Sequence, residues 1–316
     1  MNPDPQPGIA PAALEFAHLS DPHLSTPQAL GLRDWLGKRA LGYLSWRRRR
    51  RHEHRAEVLE ALGADLAADP PEHILITGDL TQLGQPAEFA QGRRWLETLG
   101  PPERVGLVPG NHDCTSAEPW AATLEFWAPY LAGDPDAGGA PFPSLRVRAG
   151  VAMIGLSSAL PTPPLLATGR IGGAQLGRLE QLLTETGRRG LFRVVYLHHS
   201  PVPGQDPWRK RLVDAAAVAA VVARTGAELV LHGHRHRVRT AELAGPGGRI
   251  PVHGIASASA LGAQGEAACY GRYWVSPDTD RWRVRLEYRR YRRDRGGFAP
   301  EDVREFSVPR PPARSR

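Results

Sequence analysis

The chain has 316 residues, of which 41% are apolar and 23% are charged, and its formal net charge is +7. The apolar content is sufficient for a full hydrophobic core, and the length corresponds to one large domain or two small ones. With 34 Gly and 30 Pro residues, the chain falls below the level typical of low-complexity sequence, which excludes collagen, coiled-coil and disordered proteins.

Predicted strands and helices alternate through the first three quarters of the chain, which favours a layered α/β domain. Strands are predicted at residues 14–19, 74–77, 104–108, 193–197 and 228–231, with a β-hairpin over 145–157. Helices are predicted at residues 53–68, 86–99, 117–131, 173–189 and 211–225. Strands dominate again from residue 237 to about 290.

The two ends of the chain are rich in Pro, and the C-terminal end is also rich in Arg. We expect disorder at residues 1–12 and 294–316, which leaves a single domain over residues 13–293. The first residues lack the basic and apolar regions of a secretory signal, and no apolar run is long enough to span a membrane. Cys114 and Cys269 are too few for a disulfide framework or a four-cysteine zinc site. These features predict a cytoplasmic protein.

Polar side chains follow five of the predicted strands at the point where each strand ends. The five sites are Asp21-Pro22-His23, Gly78-Asp79, Gly110-Asn111-His112, His198-His199 and His232-Gly233-His234. In open α/β sheets, ligands bind beyond the carboxyl ends of the strands. We therefore expect these five sites to converge in one place.

The residue types in the five sites suit a metal centre. Carboxylates, neutral imidazoles and an amide oxygen bind borderline ions such as Mn²⁺, Fe and Zn²⁺, and the lack of cysteine there excludes a thiolate site. The sites hold more ligands than one ion needs, so they predict two ions that share a bridging carboxylate. Two ions about 3.5–4 Å apart clamp a phosphoryl group and lower the pKa of a bound water toward about 7.

Each site also has a simpler structural explanation. A single Asp after a strand is usually a turn or capping residue, and a His pair is often packed or solvated. The combination is harder to explain in this way, because Asn111 is one of only two asparagines in the chain and lies between Gly110 and His112. We therefore favour the metal centre.

The five sites, in this order, resemble the calcineurin-like metallophosphoesterase superfamily, whose pattern is D-x-H, G-D, G-N-H-[DE], H and G-H-x-H. The resemblance covers residues 14 to about 240, and the bacterial class III cyclic nucleotide phosphodiesterases are the most similar type. It implies a four-layer α-β-β-α sandwich of two mixed sheets flanked by helices. It also implies a dinuclear metal site at the strand ends.

The resemblance assigns metal ligands residue by residue. One ion is expected to bind three side chains of its own: Asp21, His23 and His236. The other ion is expected to bind a second set of three: Asn111, His198 and His234. Asp79 bridges both ions.

Two of these ligands have a neighbouring alternative. The superfamily pattern favours His198 over His199, and it favours His236 over His232. The resemblance also implies that His112 faces the substrate phosphate as an acid or charge stabiliser and that Asp113 orients His112.

The implied reaction is hydrolysis of a small phosphoester, most of all a phosphodiester such as a cyclic nucleotide. A metal-bridging hydroxide attacks phosphorus in line, while the two cations (Mn, Fe or Zn) and His112 stabilise the phosphoryl charge.

Residues 28–55 combine an apolar face with a basic run. Leu32, Trp35, Leu36, Tyr43 and Trp46 give the apolar face, and five consecutive arginines follow at residues 47–51. The segment is compatible with a surface helix whose charges are solvated, with a contact to an anionic membrane surface, or, less favoured, with a nucleic-acid contact. Because it follows the first ligand loop directly, it is expected to overhang the site.

Two rival functions are left open. The apolar-basic segment favours a pyrophosphatase that lies peripherally at the inner membrane surface and acts on a nucleotide-linked lipid such as UDP-diacylglucosamine. A binding or scaffold protein that kept the fold and lost catalysis is disfavoured, because every motif block is present. No heptad or evident dimer strand indicates an oligomeric state, which stays open.

Overall fold

Twelve strands and seven α-helices form in the part of the chain that the computed structural model describes, residues 14–24, 26–31, 34–115, 117–135, 141–263 and 265–311. The strands are β1 Leu14–Leu19, β2 His73–Ile76, β3 Val105–Leu107, β4 Ser144–Arg148, β5 Val151–Gly155, β6 Phe192–Tyr196, β7 Leu229–His232, β8 Arg239–Gly245, β9 Gly248–Gly254, β10 Cys269–Pro277, β11 Arg281–Arg292 and β12 Gly297–Pro309. The helices are α1 Lys38–Ser45, α2 Arg51–Glu53, α3 Ala56–Ala68, α4 Pro86–Leu99, α5 Ala128–Leu131, α6 Gly173–Arg188 and α7 Ala215–Thr225.

The strands form two mixed sheets of six. The first sheet has the order β12-β11-β10-β1-β2-β3, and β1, β2 and β3 run parallel within it. The second sheet has the order β4-β5-β6-β7-β9-β8, and its four central strands run parallel. The predicted ligands follow the carboxyl ends of five of these parallel strands, namely β1, β2, β3, β6 and β7.

The two sheets pack face to face around an apolar core. Phe16 and Leu75 of the first sheet and Met153 and Val194 of the second are fully buried within it. Helices α3 and α4 cover the outer face of the first sheet, and α6 and α7 cover the outer face of the second. The predicted four-layer α-β-β-α sandwich is therefore confirmed.

Local sequence signals account for several element boundaries. The predicted hairpin forms between β4 and β5 and turns at Ala149 and Gly150, which both have positive φ. Helix α4 begins with a capping box, in which Gln85 and Glu88 satisfy each other's backbone N–H groups.

The predicted continuous helix over residues 117–131 is wrong. This segment forms two 3₁₀ turns, Trp120–Ala122 and Leu124–Trp127, before the single turn of α5. Thr123 between them has φ −139° and ψ −96°, outside the helical region. Trp127 packs instead on Phe89 of α4, and its indole N–H donates to the Phe89 carbonyl at 2.9 Å. Tertiary packing therefore overrides the helical pattern.

The expected disorder of residues 294–316 is wrong for Gly297–Pro309, which form the edge strand β12. Val308 is buried, and Phe306 packs against the core between the sheets. Glu301 of β12 makes ion pairs with Arg290 and Arg292 of β11. The charged residues of this segment thus belong to an antiparallel strand pair. Residues 1–12 and 312–316 lie outside the described residues.

Residues 34–55, which we call the cap, lie against the loops after β2 and near β10. Arg39 donates to the carbonyls of Leu83 and Gly84, and the Glu53 carboxylate accepts from the Gly262 N–H at 2.8 Å. Leu32 and the side chain of Leu36 lie outside the described part. Of the helices that the structure describes, none combines the length and the apolar character needed to cross a bilayer.

Candidate metal centre

The loops after β1, β2 and β7 hold predicted ligands in left-handed backbone conformations. Asp21, His23, Asp79, His234 and His236 have φ angles between 40° and 71°. Only two other non-glycine residues within the described ranges have positive φ. Each such residue costs on the order of 1–3 kcal/mol, and strain of this kind clusters at functional sites. The backbone alone therefore indicates a functional site at these strand ends.

Two glycines allow these loops to approach one another. A Cβ at Gly110 would collide with the Asp79 carboxylate, and a Cβ at Gly233 would collide with the side chains of Ser20 and Asp21. Any larger residue would push the loops apart. This explains why glycine directly precedes the predicted ligands of the β3 and β7 loops.

Four predicted ligands form a first cluster, with one donor atom from each within 4.8 Å of the others: Asp21, His23, Asp79 and His236. His236 Nε2 lies 3.1 Å from Asp21 Oδ1 and 3.2 Å from His23 Nε2. The Nδ1–H of His23 donates to the Thr81 carbonyl at 3.1 Å, so the lone pair of its Nε2 faces the cluster.

The second cluster surrounds Nε2 of His198. This atom lies 3.2 Å from Asn111 Oδ1, 3.2 Å from His234 Nδ1 and 3.4 Å from Asp79 Oδ2. The Nδ1–H of His198 donates to the Thr77 carbonyl at 2.6 Å. A carbonyl partner of this kind fixes the ring of a metal-binding histidine with Nε2 facing the site.

Asp79 joins the two clusters. Its Oδ2 lies 3.4 Å from His198 Nε2 and 3.9 Å from His23 Nε2, and its Oδ1 accepts from the His112 backbone N–H at 2.7 Å. Burial opposes charge on both Asp79 and His198, but their attraction prevails. It holds the pKa of Asp79 well below its usual value and raises the pKa of His198 to about 9. A cation bound at this position would displace the proton that His198 carries on Nε2, because metal ligands must be deprotonated.

The donor set fits divalent cations. Asp21 Oδ1 is buried and accepts no hydrogen bond within the described structure, although buried polar atoms are rarely left in this state. Asp21 Oδ2, by contrast, accepts from the Ser20 hydroxyl at 2.6 Å and from the His234 N–H at 2.9 Å. The carboxylate is thus held in place by one oxygen while the other faces the imidazoles. Carboxylate, imidazole and amide donors suit Mn²⁺, Fe or Zn²⁺.

The geometry distinguishes the ligand candidates that were paired in the sequence. A His199 nitrogen lies within 4.8 Å of His198 and His234, but both ring nitrogens of His199 already have partners. Its Nε2–H donates to the Ala167 carbonyl at 3.2 Å, and its Nδ1 accepts from the Ser158 hydroxyl at 2.8 Å. These contacts favour His198 as the ligand, and that assignment stays a prediction.

His232 and His236 also differ in position. His236 belongs to the first cluster. His232 is buried at the end of β7, where its Nδ1 lies 3.1 Å from the Gly233 carbonyl and its ring packs on Gly254. The geometry therefore favours His236.

His112 lies beside the first cluster, with its ring centroid 4.9 Å from that of His23. Its Nδ1–H donates to the Gln82 carbonyl at 2.6 Å, which leaves Nε2 as the acceptor. Burial, and then the Arg50 guanidinium, lower the pKa of His112 to about 3. His112 is therefore neutral in this arrangement.

Asp113 contacts the backbone of the ligand loops. Its carboxylate accepts from the N–H groups of Asp79, Thr81 and Gly110, each at 2.9 Å. Burial, followed by the nearby Asp79 charge, raises the pKa of Asp113 to about 7. These bonds tie the loop after β2 to the loop after β3. The catalytic role predicted for Asp113 stays a prediction.

Two residues of the cap reach the site and were not among the predicted site residues. The His54 ring lies 4.6 Å from that of His23 and 5.5 Å from that of His236. Arg50 Nη1 lies 3.0 Å from His112 Nε2. The only signal in the sequence was the position of the segment directly after the first ligand loop.

Comparison with known proteins agrees with this site. Residues 14–238 match the family model of the calcineurin-like phosphoesterases, a span that contains every predicted ligand. The chain therefore belongs to the calcineurin-like phosphoesterase family. This membership supports a metal-dependent hydrolase that acts on phosphoesters.

Two curated relatives are similar over part of their length. A probable cyclic nucleotide phosphodiesterase of Synechococcus is 30% identical over 189 residues, which are 56% of this chain and 62% of that protein. A cAMP/cGMP dual specificity phosphodiesterase of Mycobacterium tuberculosis is 31% identical over 193 residues, which are 60% of this chain and 54% of that protein. The similarity thus spans less than two thirds of either relative.

Solved structures share the fold at low sequence identity. A dimetal phosphatase from Danio rerio has a TM-score of 0.60 at 11% identity, covering 95% of this chain and 99% of that chain. A purple acid phosphatase from yellow lupin seeds has a TM-score of 0.56 at 12% identity, covering 97% of this chain and 55% of that chain. At such identities, these similarities concern the fold alone.

Proposed function

We propose that the protein is a dinuclear metal-dependent phosphohydrolase that cleaves a small phosphodiester, a cyclic nucleotide or a similar compound. The observation that carries this proposal is the position of Asp79 Oδ2, 3.4 Å from His198 Nε2 and 3.9 Å from His23 Nε2. A single carboxylate between two sets of imidazoles is the arrangement that two neighbouring cations need.

The proposed ligands follow the two clusters. One ion takes three side chains of its own: Asp21, His23 and His236. The other takes three more: Asn111, His198 and His234. Asp79 serves both ions, and the carbonyls of Thr77 and Thr81 orient the imidazoles that they contact.

Two divalent ions held by these ligands would supply an activated water and neutralise charge on the phosphoryl oxygens. The protein's own residues hold the reactants and move a proton. His112 keeps Nδ1–H on the Gln82 carbonyl, so its Nε2 is the atom that faces the substrate. That Nε2 would take up the proton that the attacking water loses and pass it to the leaving oxygen, so that the imidazole ends neutral as it began. Asp113 keeps the two ligand loops in register through their backbone N–H groups.

The cyclic nucleotide assignment is supported by the two relatives, whose names describe cyclic nucleotide phosphodiesterases. A cyclic nucleotide carries one phosphodiester and leaves as a monophosphate. Such a substrate needs one phosphoryl site, and the two clusters around Asp79 supply one.

The first test compares bis-p-nitrophenyl phosphate with p-nitrophenyl phosphate after chelation and after return of Mn²⁺. We expect Mn²⁺-dependent hydrolysis that favours the diester, with about two ions bound per chain. Asp79→Ala should lose hydrolysis and bound metal together, whereas Asp280→Ala at an exposed turn should retain both. Normal hydrolysis by Asp79→Ala would contradict the proposal.

A second candidate is a membrane-surface pyrophosphatase acting on a nucleotide-linked lipid. The observation that favours it is the outer face of the cap, where Trp35 is 50%, Leu41 45% and Leu44 37% exposed. Exposed arginines at residues 47–49 follow on the same segment, which suits an anionic lipid surface.

This candidate is tested by flotation with vesicles that contain anionic lipid, and by hydrolysis of a UDP-linked lipid. The variant Leu41→Ser/Leu44→Ser changes only exposed side chains and leaves Arg50 and His54 in place. Lower vesicle binding and slower cleavage of the lipid, with unchanged cleavage of bis-p-nitrophenyl phosphate, would support the lipid substrate. Equal vesicle binding by parent and variant would exclude this surface as the contact.

A further inference from the structure

The cap carries one cation into the site. Arg50 ends the π-helical turn Trp46–Arg50, and its carbonyl accepts from the His54 N–H at 2.8 Å. The His54 ring in turn contacts the rings of His23 and His236. Arg50 therefore lies one helical turn before His54 in the cap, close to the first cluster.

Both ends of the cap are fastened to the sandwich, which determines which arginine points inward. Near its start, Arg39 donates to the Gly84 carbonyl at 2.7 Å and pairs with Glu118 at 2.9 Å. At its end, Glu53 accepts from the N–H groups of Gly262 and Ala263 at 2.8 Å and 3.1 Å. Of the five consecutive arginines, only Arg50 is partly buried, while the other four are exposed.

The partner of Arg50 in this arrangement is a neutral histidine. Its Nη1 lies 3.0 Å from Nε2 and 3.1 Å from Nδ1 of His112, and Nε2 is the ring atom that accepts. Within the described ranges, no carboxylate makes an ion pair with Arg50. Burial lowers the pKa of Arg50, and the nearby charges of Asp79 and Asp21 oppose this only in part. A partly buried guanidinium without a bound anion is unusual, because buried charges are normally paired.

We propose that Arg50 is the phosphoryl-binding residue of this site, which donates from its guanidinium to a non-bridging oxygen of the substrate. This inference rests on the proposed function. In the absence of substrate, the guanidinium donates to His112 Nε2. When a phosphoryl group enters, its oxygen replaces that ring nitrogen as the acceptor, since a charged acceptor makes the stronger bond and arginine matches phosphate geometry.

The test uses the Mn²⁺-loaded full chain and compares Arg50→Gln with Arg48→Gln, an exposed member of the same run. Because Arg50→Gln removes a hydrogen bond to a charged phosphoryl oxygen, we expect its kcat/KM to fall about 10- to 100-fold. The inhibition constant of inorganic phosphate should rise by a similar factor. Arg48→Gln should stay within about 2-fold of the parent in both, and Arg50→Lys, which keeps the charge but loses the fork, should recover part of the loss.

Each result decides a separate question. If the parent hydrolyses the diester and Arg50→Gln has the same kcat/KM and the same inhibition constant for phosphate, the role of Arg50 is overturned. The proposed function is unaffected by that result. A parent that hydrolyses no phosphoester would overturn the proposed function. In that case the role of Arg50 is decided by calorimetric titration of inorganic phosphate: weaker binding by Arg50→Gln than by Arg48→Gln supports it, and equal binding overturns it. Equal melting temperatures of the two variants show that the cap is folded in both.

Discussion

Replacement of two adjacent histidines, one at a time, separates metal ligation from packing. His198 and His199 are neighbours in sequence and both fully buried, so the two substitutions are matched in size and depth. His198 Nε2 faces Asp79 Oδ2 at 3.4 Å, whereas the ring of His199 hydrogen-bonds Ser158 and Ala167. We expect His198→Ala to lose metal and hydrolysis, and His199→Ala to lose mainly stability.

The expected magnitudes follow from these contacts. Loss of a group that merely supports a metal ligand costs about 10- to 100-fold in metal affinity, so loss of the ligand itself should exceed about 100-fold at one ion. His199→Ala removes two hydrogen bonds of about 0.5–1.5 kcal/mol each and leaves a small cavity, for a total of about 2–4 kcal/mol. In a domain of this length, that lowers Tm by roughly 4–8 °C.

Three measurements on each variant are needed. Metal content per chain is determined after dialysis against a weak chelator, diester hydrolysis is measured with saturating Mn²⁺, and Tm is recorded at one fixed metal concentration because bound ions stabilise the folded state. Ser158→Ala is a control from the other side of the contact, since it removes the hydroxyl that donates to His199. It should lower Tm slightly and leave the metal content unchanged.

The opposite result would show that the hydrogen-bond partners of the ring nitrogens do not identify which histidine is the ligand. If His199→Ala releases one ion per chain while His198→Ala retains both, then His199 is the ligand. The two hydrogen bonds of His199 would then have to break when metal binds.

Two further predictions concern stability away from the site. Glu228→Gln disrupts the buried pair with Arg193, whose guanidinium lies 2.7 Å from the carboxylate, and should cost about 3–5 kcal/mol in urea unfolding with metal content unchanged. A cost below about 1 kcal/mol would argue against a tight pair. Burial lowers the pKa of His73 to about 3, so the unfolded chain gains this proton first and stability should fall as pH drops from about 6.5 toward 3. His73→Leu should reduce that fall by a few kcal/mol in acid titrations of unfolding, and an unchanged pH slope would contradict the assignment.

Most of the site could be predicted from the sequence because each ligand motif is short and directly follows a strand. Asp21, Asp79 and Asn111 follow three strands that run parallel in one sheet, and His198 and His234 follow two parallel strands of the other. Parallel strands end on the same edge, so local motifs become neighbours in space. The resemblance to a known family then supplied the order of the layers.

The contribution of the cap could not be predicted, because it depends on contacts between residues far apart in the chain. The sequence alone does not distinguish the five arginines at residues 47–51 from one another. The inward position of Arg50 follows from the contacts that Arg39 and Glu53 make with distant loops. The edge strand β12 was missed for a related reason. Its Glu301 and Phe306 become favourable only when β11 and the core lie beside them.

The strained ligand loops show why local rules fail at this site. A left-handed backbone conformation favours glycine, yet Asp21, Asp79 and His236 adopt it, at a cost of about 1–3 kcal/mol each. Glycine at these positions would remove the strain and also the side chain that binds a cation. The chain therefore places glycine one residue before a ligand, as at Gly110 and Gly233, where the loops need close approach. Because the packed sandwich holds the strand ends in place, it offsets this strain, and five of the seven described non-glycine residues that break the backbone rule are predicted ligands.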